Sequence, residues 1–211
     1  MMHNRVRMVT SLLAGLALTA AIAGCRIRTE KDASGEEKNV QIDTPFGGLH
    51  VNTDQTTAAD LGLPVYPGAE QVKADDKHKS ADVHLGFGDW EMRVRAVSYA
   101  TRDSKEQVTA FYKKALSRFG DVIVCQGDTA IGTPTATAEG LNCSDNGKGS
   151  KMKVKTDEYS SDRGGLQLKA GSKRRQHIVA FDDDSKEGDT RFGLVALDLP
   201  AGMAGSPGRS D

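Results

Sequence analysis

Apolar and polar residues alternate with a period of two in several stretches of the chain, and one stretch switches to helical spacing. Val40 and Ile42 alternate with Gln41 and Asp43, Thr44-Pro45-Phe46-Gly47-Gly48 supplies a turn, and Leu49 and Val51 resume the alternation. This predicts a short hairpin over 39–53. A stronger hairpin follows: Val83, Leu85 and Phe87 alternate with Asp82, His84 and Gly86. After the two-residue turn Gly88-Asp89, Trp90, Met92, Val94 and Ala96 alternate with Glu91, Arg93 and Arg95. From Ala96 to Tyr99 the polar alternation fades, which places that part of the strand at the centre of a sheet. Over 103–119, Val108, Phe111, Tyr112, Ala115, Leu116 and Phe119 recur at helical spacing. Asp103 is the expected N-cap, with Glu106 three residues on, and Gly120 is the stop.

Beyond the helix the alternation returns. Residues 122–125 read as a strand, as do Met152, Val154 and Thr156 with the intervening Lys153 and Lys155. Leu166, Leu168 and Ala170 alternate with Gln167 and Lys169, and 171–174 turns the chain. The stretches 178–181 and 192–199 are more continuously apolar, as strands covered on both faces should be. Pro67-Gly68 fits the two central places of a type II turn. The pattern therefore predicts an α+β fold, with one amphipathic helix packed on a largely antiparallel β-sheet.

The organisation expected along the chain has a hairpin and connector at 39–60, an α+β domain at 61–200 and a disordered Gly/Pro-containing tail at 201–211. A lone two-stranded hairpin is marginal in water, so the first one should dock on the body. Residues 25–38 mix four cations with four acids and lack apolar periodicity, which reads as a solvated tether.

Composition narrows the class. The chain has 211 residues, with 28 Lys plus Arg against 29 Asp plus Glu. That length suits one domain with extensions, and a net charge of −1 argues against a nucleic-acid partner.

The first residues carry the most specific signal. Arg5 and Arg7 precede an apolar run that ends in small residues, and a polar segment starts at Arg26. The run is about 15 residues, too short for a stable span of about 20, and reads as an export signal over 1–24. Its end, Ile22-Ala23-Gly24-Cys25, resembles the lipobox of bacterial lipoproteins, in which an aliphatic and two small residues precede an obligatory Cys. The resemblance implies cleavage before Cys25, a diacylglycerol thioether on its sulfur and often an acylated amino group. The partner is then a membrane, held through the acyl anchor on Cys25. The expected location is the cell envelope. Arg26 in place of the Asp that often retains lipoproteins at an inner membrane favours the outer membrane, facing the periplasm, in a two-membrane cell. An ordinary secreted protein with a chance Cys and an uncleaved anchor helix are the alternatives. In the body, 63–69 resembles a segment of uncharacterised exported bacterial proteins, which implies no activity.

With Cys25 lipidated, Cys125 and Cys143 remain, an even pair in an oxidising compartment. They read as a disulfide, with a metal-binding pair or two free thiols as alternatives. His78 and His84, with Asp82 and the nearby Asp75 and Asp76, are weak metal-ligand candidates against a solvated surface. The acidic run at 182–189 lacks the spacing of a calcium loop and reads as a hairpin turn. Lys169, Lys173, Arg174 and Arg175 form a basic cluster placed on a turn, open to lipid phosphates or glycan carboxylates. No nucleophile elbow, phosphate loop or dinucleotide fingerprint occurs. No cofactor and no enzymatic activity are therefore expected. The expected function is that of a non-enzymatic interaction or structural module, with an envelope protein as the candidate partner. A periplasmic module binding a metal or an unidentified small ligand is the alternative.

Overall fold

The computed structural model describes residues 24–31, 37–73, 79–145, 165–182 and 189–201. In chain order it comprises β1 (Arg26–Lys31), β2 (Glu37–Thr44), β3 (Gly47–Thr53), a 3-10 turn at Ala58–Leu61, β4 (Glu70–Gln71), β5 (Ser80–Phe87) and β6 (Trp90–Thr101). Helix α1 (Lys105–Leu116) follows, continued by a 3-10 turn at Ser117–Phe119. The chain then forms β7 (Val122–Gln126), β8 (Thr129–Ala130), β9 (Leu166–Gly171), β10 (Arg175–Phe181) and β11 (Thr190–Asp198). The strand expected at Met152, Val154 and Thr156 and the tail at 202–211 lie outside the described residues.

Among the described residues, eleven strands join one antiparallel sheet, in the order β1-β2-β3-β5-β6-β11-β10-β9-β7-β8, with β4 on β6. The α+β class holds, but the sheet is larger than expected, and the one α-helix among the described residues covers only part of one face. The second hairpin follows its pattern. Phe87 pairs with Trp90, the ladder continues to Ser80↔Val97, and Gly88 takes φ +56° in the two-residue turn. The first hairpin docks on the body as expected, through β3 pairing with β5 from Gly47↔Phe87 to Thr53↔Ala81.

The tether expected at 25–38 is corrected over 26–31, while 32–36 lies outside the described residues. Arg26–Lys31 forms β1 and pairs with β2 from Arg26↔Asp43 to Lys31↔Glu37. Its six residues are all exposed, so no burial pattern announces the strand. An edge strand needs only backbone pairing, which mixed-charge residues supply as well as apolar ones.

The helix packs where its stripe directs. Val108, Tyr112 and Leu116 are fully buried against Leu168, Ala170, Val179, Phe192 and Leu194 from β9, β10 and β11, with Val97 and Tyr99 from β6. Phe192 is the hub, with Tyr66, Tyr99, Tyr112 and Phe181 ring centroids 5.5–6.5 Å away. The type II turn forms at Pro67-Gly68, with Gly68 at φ +76° and the Ala69 amide donating to the Tyr66 carbonyl at 3.0 Å.

The cap lies one residue later than expected. Ser104, not Asp103, is the N-cap, and its hydroxyl accepts from the Gln107 amide while the Gln107 side chain accepts from the Ser104 amide. Asp103 instead accepts the Tyr66 hydroxyl at 2.7 Å, tying the helix entry to the Pro67-Gly68 turn. That bond and burial raise the Tyr66 pKa.

Two substitutions test this account of the helix and core. Ser104→Ala should lower the unfolding free energy by about 1 kcal/mol through loss of the cap. Phe192→Ala should cost about 3–5 kcal/mol as a core cavity. Both are read by urea unfolding, and a Phe192→Ala loss of under about 1 kcal/mol contradicts the hub role.

Candidate functional site

The sequence candidates fall into three places on the sheet. The first is the end at which β1 begins. Cys25 is exposed with a free thiol, and its neighbour Arg26 pairs with Asp43, two residues before the β2–β3 turn. A Cβ built on Gly24 would lie 2.6 Å from Pro45 Cγ, so residues 24 and 25 abut that turn. The β5–β6 turn stands beside it, because Gly47 pairs with Phe87. Phe46, Ile27 and Phe87 are exposed here.

The second place is the polar face of the β2–β3–β5–β6 wing. The register aligns Gln41, His50, His84 and Arg93 across four strands. His50 Nε2 meets Asp43 Oδ1 at 2.9 Å, and that bond, chiefly, holds the Asp43 carboxyl below its usual range. His84 Nε2 bonds Glu91, and the His50 and His84 rings meet edge-on at 6.1 Å between centroids. Arg93 grips Asp82 with two nitrogens, Nε at 2.9 Å, which raises the Arg93 pKa. Of the weak metal-ligand set, Asp82 and His84 therefore share a face, each engaged with a different neighbour. His78, Asp75 and Asp76 lie outside the described residues. Among the described residues no group of three or more His, Cys, Asp or Glu is placed to hold a metal ion.

His50 is the member that sequence reasoning missed. It sits 34 positions from His84 and belongs to a different hairpin, and only the β3–β5 register makes them neighbours. Each lies on the polar side of its own strand, but nothing in either hairpin specifies how the two hairpins align.

The third place is the back of the sheet beside β7. Cys125 and Cys143 form a disulfide, with Cα atoms 5.5 Å apart. Ile123, Cys125, Leu141 and Cys143 make a small second core with Ala130 packed against it. The loop between the cysteines covers the face of β9 that alternation assigned to water. Lys169 is accordingly fully buried, its Nζ donating to the Cys143 carbonyl at 3.0 Å. The basic cluster is thus corrected: Lys169 leaves it, and Lys173, Arg174 and Arg175 remain at the β9–β10 turn, Lys173 3.9 Å from Asp145. Of the acidic run, 183–188 lies outside the described residues.

One imidazole is part of the packing. His177 on β10 stacks on Phe119 with ring centroids 3.6 Å apart and planes at 8°. Burial, the dominant cause, lowers its pKa below the usual value; Asp198 opposes this, while Arg95 and Arg118 add to it.

No protein-family model, curated protein sequence or solved structure matches the chain.

Two outcomes check these placements. Thiol counting on denatured, unreduced protein should find Cys125 and Cys143 unreactive. Reduction should lower stability by about 3 kcal/mol for a loop of this size; two reactive thiols contradict the bridge. For His177, the unfolded chain binds a proton near pH 6.5 and the folded chain only at lower pH. Its contribution to stability is therefore complete above that pH and is lost as pH falls toward the folded pKa. In urea titrations, native protein should lose more stability than His177→Phe between pH 7.5 and 5.5. Equal losses would show that His177 does not titrate differently in the two states.

Proposed function

We propose that this chain is a bacterial lipoprotein of the cell envelope, anchored through acyl chains on Cys25 and serving as a non-enzymatic interaction or structural module. The observation that carries this reading is the run Ile22-Ala23-Gly24-Cys25 behind a basic start and an apolar stretch. Its physics is direct. A buried methylene contributes roughly 0.8 kcal/mol, so two or three acyl chains hold a water-soluble body on a bilayer for long times. The exposure of Cys25 at the start of β1 supports the reading, since a modified sulfur there would displace no core residue. The Cys125–Cys143 bridge fits an oxidising compartment. In a two-membrane cell, Arg26 after the cysteine favours the periplasmic leaflet of the outer membrane.

The module reading rests on the character of the polar face. His50, His84 and Arg93 are engaged with Asp43, Glu91 and Asp82, as cross-strand pairs that stabilise a sheet are. A neighbouring envelope protein is the kind of partner such a surface would take.

Mass spectrometry of the protein extracted from its native membrane should find a chain beginning at Cys25 with a diacylglyceryl group on the sulfur. Cys25→Ser should move the protein from the membrane to the soluble fraction. A native chain that starts elsewhere, or an unmodified Cys25 sulfur, contradicts the anchor. Cross-linking in intact envelopes should capture one definite neighbour, and a diffuse pattern contradicts the interaction role.

A further inference from the structure

The wing of the sheet nearest Cys25 is two-faced. Its polar side carries the ion-paired ladder described above. On the other side, Ile27, Ile42, Leu49, Leu85 and Met92 align in one row across five strands. At the Cys25 end of this apolar side, the row opens onto aromatic residues that solvent reaches. Phe46 is 84% exposed, Ile27 70% and Phe87 50%. Phe87 and Trp90 lie against each other with ring centroids 6.2 Å apart. Gly47 leaves room for the Phe87 ring beside β3, since a Cβ there would come within 2.5 Å of Phe87 Cδ1. Exposed large apolar groups gathered at one end of a sheet, while the core fills elsewhere, mark a contact surface.

We propose that this end, formed by Ile27, Phe46, Phe87 and Trp90, inserts into the lipid interface of the bilayer that anchors Cys25. The inference rests on the lipid-anchor reading and gives it an orientation. Cys25 adjoins the β2–β3 turn, so acyl chains on its sulfur hold that turn at the membrane surface at high effective concentration. Aromatic rings favour that boundary, where an apolar body meets lipid and a polar edge meets water. The charges at this end shape the contact. Arg26, Asp43, Asp89 and Glu91 lie here, with Asp43 bonded to His50 and Glu91 to His84. The basic turn at Lys173–Arg175 lies at the same end, four strands from β3 but two from β6, which carries Trp90. At roughly 20–25° of twist per strand it is turned about 90° from the β2–β3 turn and about 45° from Trp90. The contact made by Ile27, Phe46 and Phe87 is apolar and weakly sensitive to salt.

Trp90 is the chain's single tryptophan and reports on its own contact. The test takes the acylated full-length protein from its native membrane and reconstitutes it in phosphatidylcholine vesicles, with or without bromine on the acyl chains. Brominated lipid should reduce Trp90 emission about twofold, because interfacial indoles sit within reach of the chains. The reduction should survive 0.5 M salt. Phe46→Ser with Phe87→Ser, both at exposed positions, should weaken it while leaving acylation intact. Unquenched Trp90 in a protein whose Cys25 is acylated overturns the insertion and leaves the anchor standing. Full quenching in the double variant overturns the assignment to the aromatic end. A bare Cys25 sulfur removes the anchor reading, and absence of quenching in that same chain removes the insertion with it.

Discussion

The pairing of β6 with β11 holds the two halves of this molecule together. β6 is twelve residues long. Along one edge it meets β5 and then β4, and along the other it runs beside β11 from Arg93↔Asp198 to Thr101↔Thr190. A strand satisfied on both edges cannot separate from either neighbour without leaving backbone groups unpaired, a cost comparable to the bonds themselves. Its side chains change character along its length. Near Trp90 one face is ion-paired and the other apolar, whereas from Val97 to Tyr99 the strand is buried. One backbone thereby joins a helix-covered core to a thin amphipathic wing.

This continuity changes what an anchor on Cys25 would mean. A flexible tether would let the body tumble above a bilayer. A sulfur placed at the start of β1, within one ladder that runs through β2, β3 and β5 to the core, would instead fix an orientation. The aromatic end would then face lipid, and the His50/His84 face would remain in water for a partner. The disulfide loop lies toward the opposite edge of the sheet, beside β7 and β9.

Much of the fold was legible because local rules sufficed. The Gly88-Asp89 hairpin, the helix stripe ending at Gly120 and the Pro67-Gly68 turn each depend on residues adjacent in sequence, and each formed. The disulfide followed from counting cysteines once the lipobox resemblance set Cys25 aside. Four features did not follow. β1 is an exposed edge strand, held by backbone bonds that leave no trace in side-chain pattern. The helix cap moved from Asp103 to Ser104 because Tyr66, distant in sequence, claims the Asp103 carboxylate. Lys169 alternates like a solvent-facing residue, but the loop closed by Cys125 and Cys143 covers it. His50 reaches His84 only through a register between separate hairpins. In each case the deciding contact is long-range, and a single sequence encodes such contacts only through the whole fold.

The central claim is that Arg26–Lys31, directly after Cys25, is sheet that pairs into the ladder running to the core. Native-state amide hydrogen exchange on the full-length protein measures this directly. The β1 amides that face β2 should be protected well above the rates of an unstructured chain, with protection rising through β2 and β3 toward β6. Exchange of all Arg26–Lys31 amides at unprotected rates would contradict the account and restore a free tether between anchor and body.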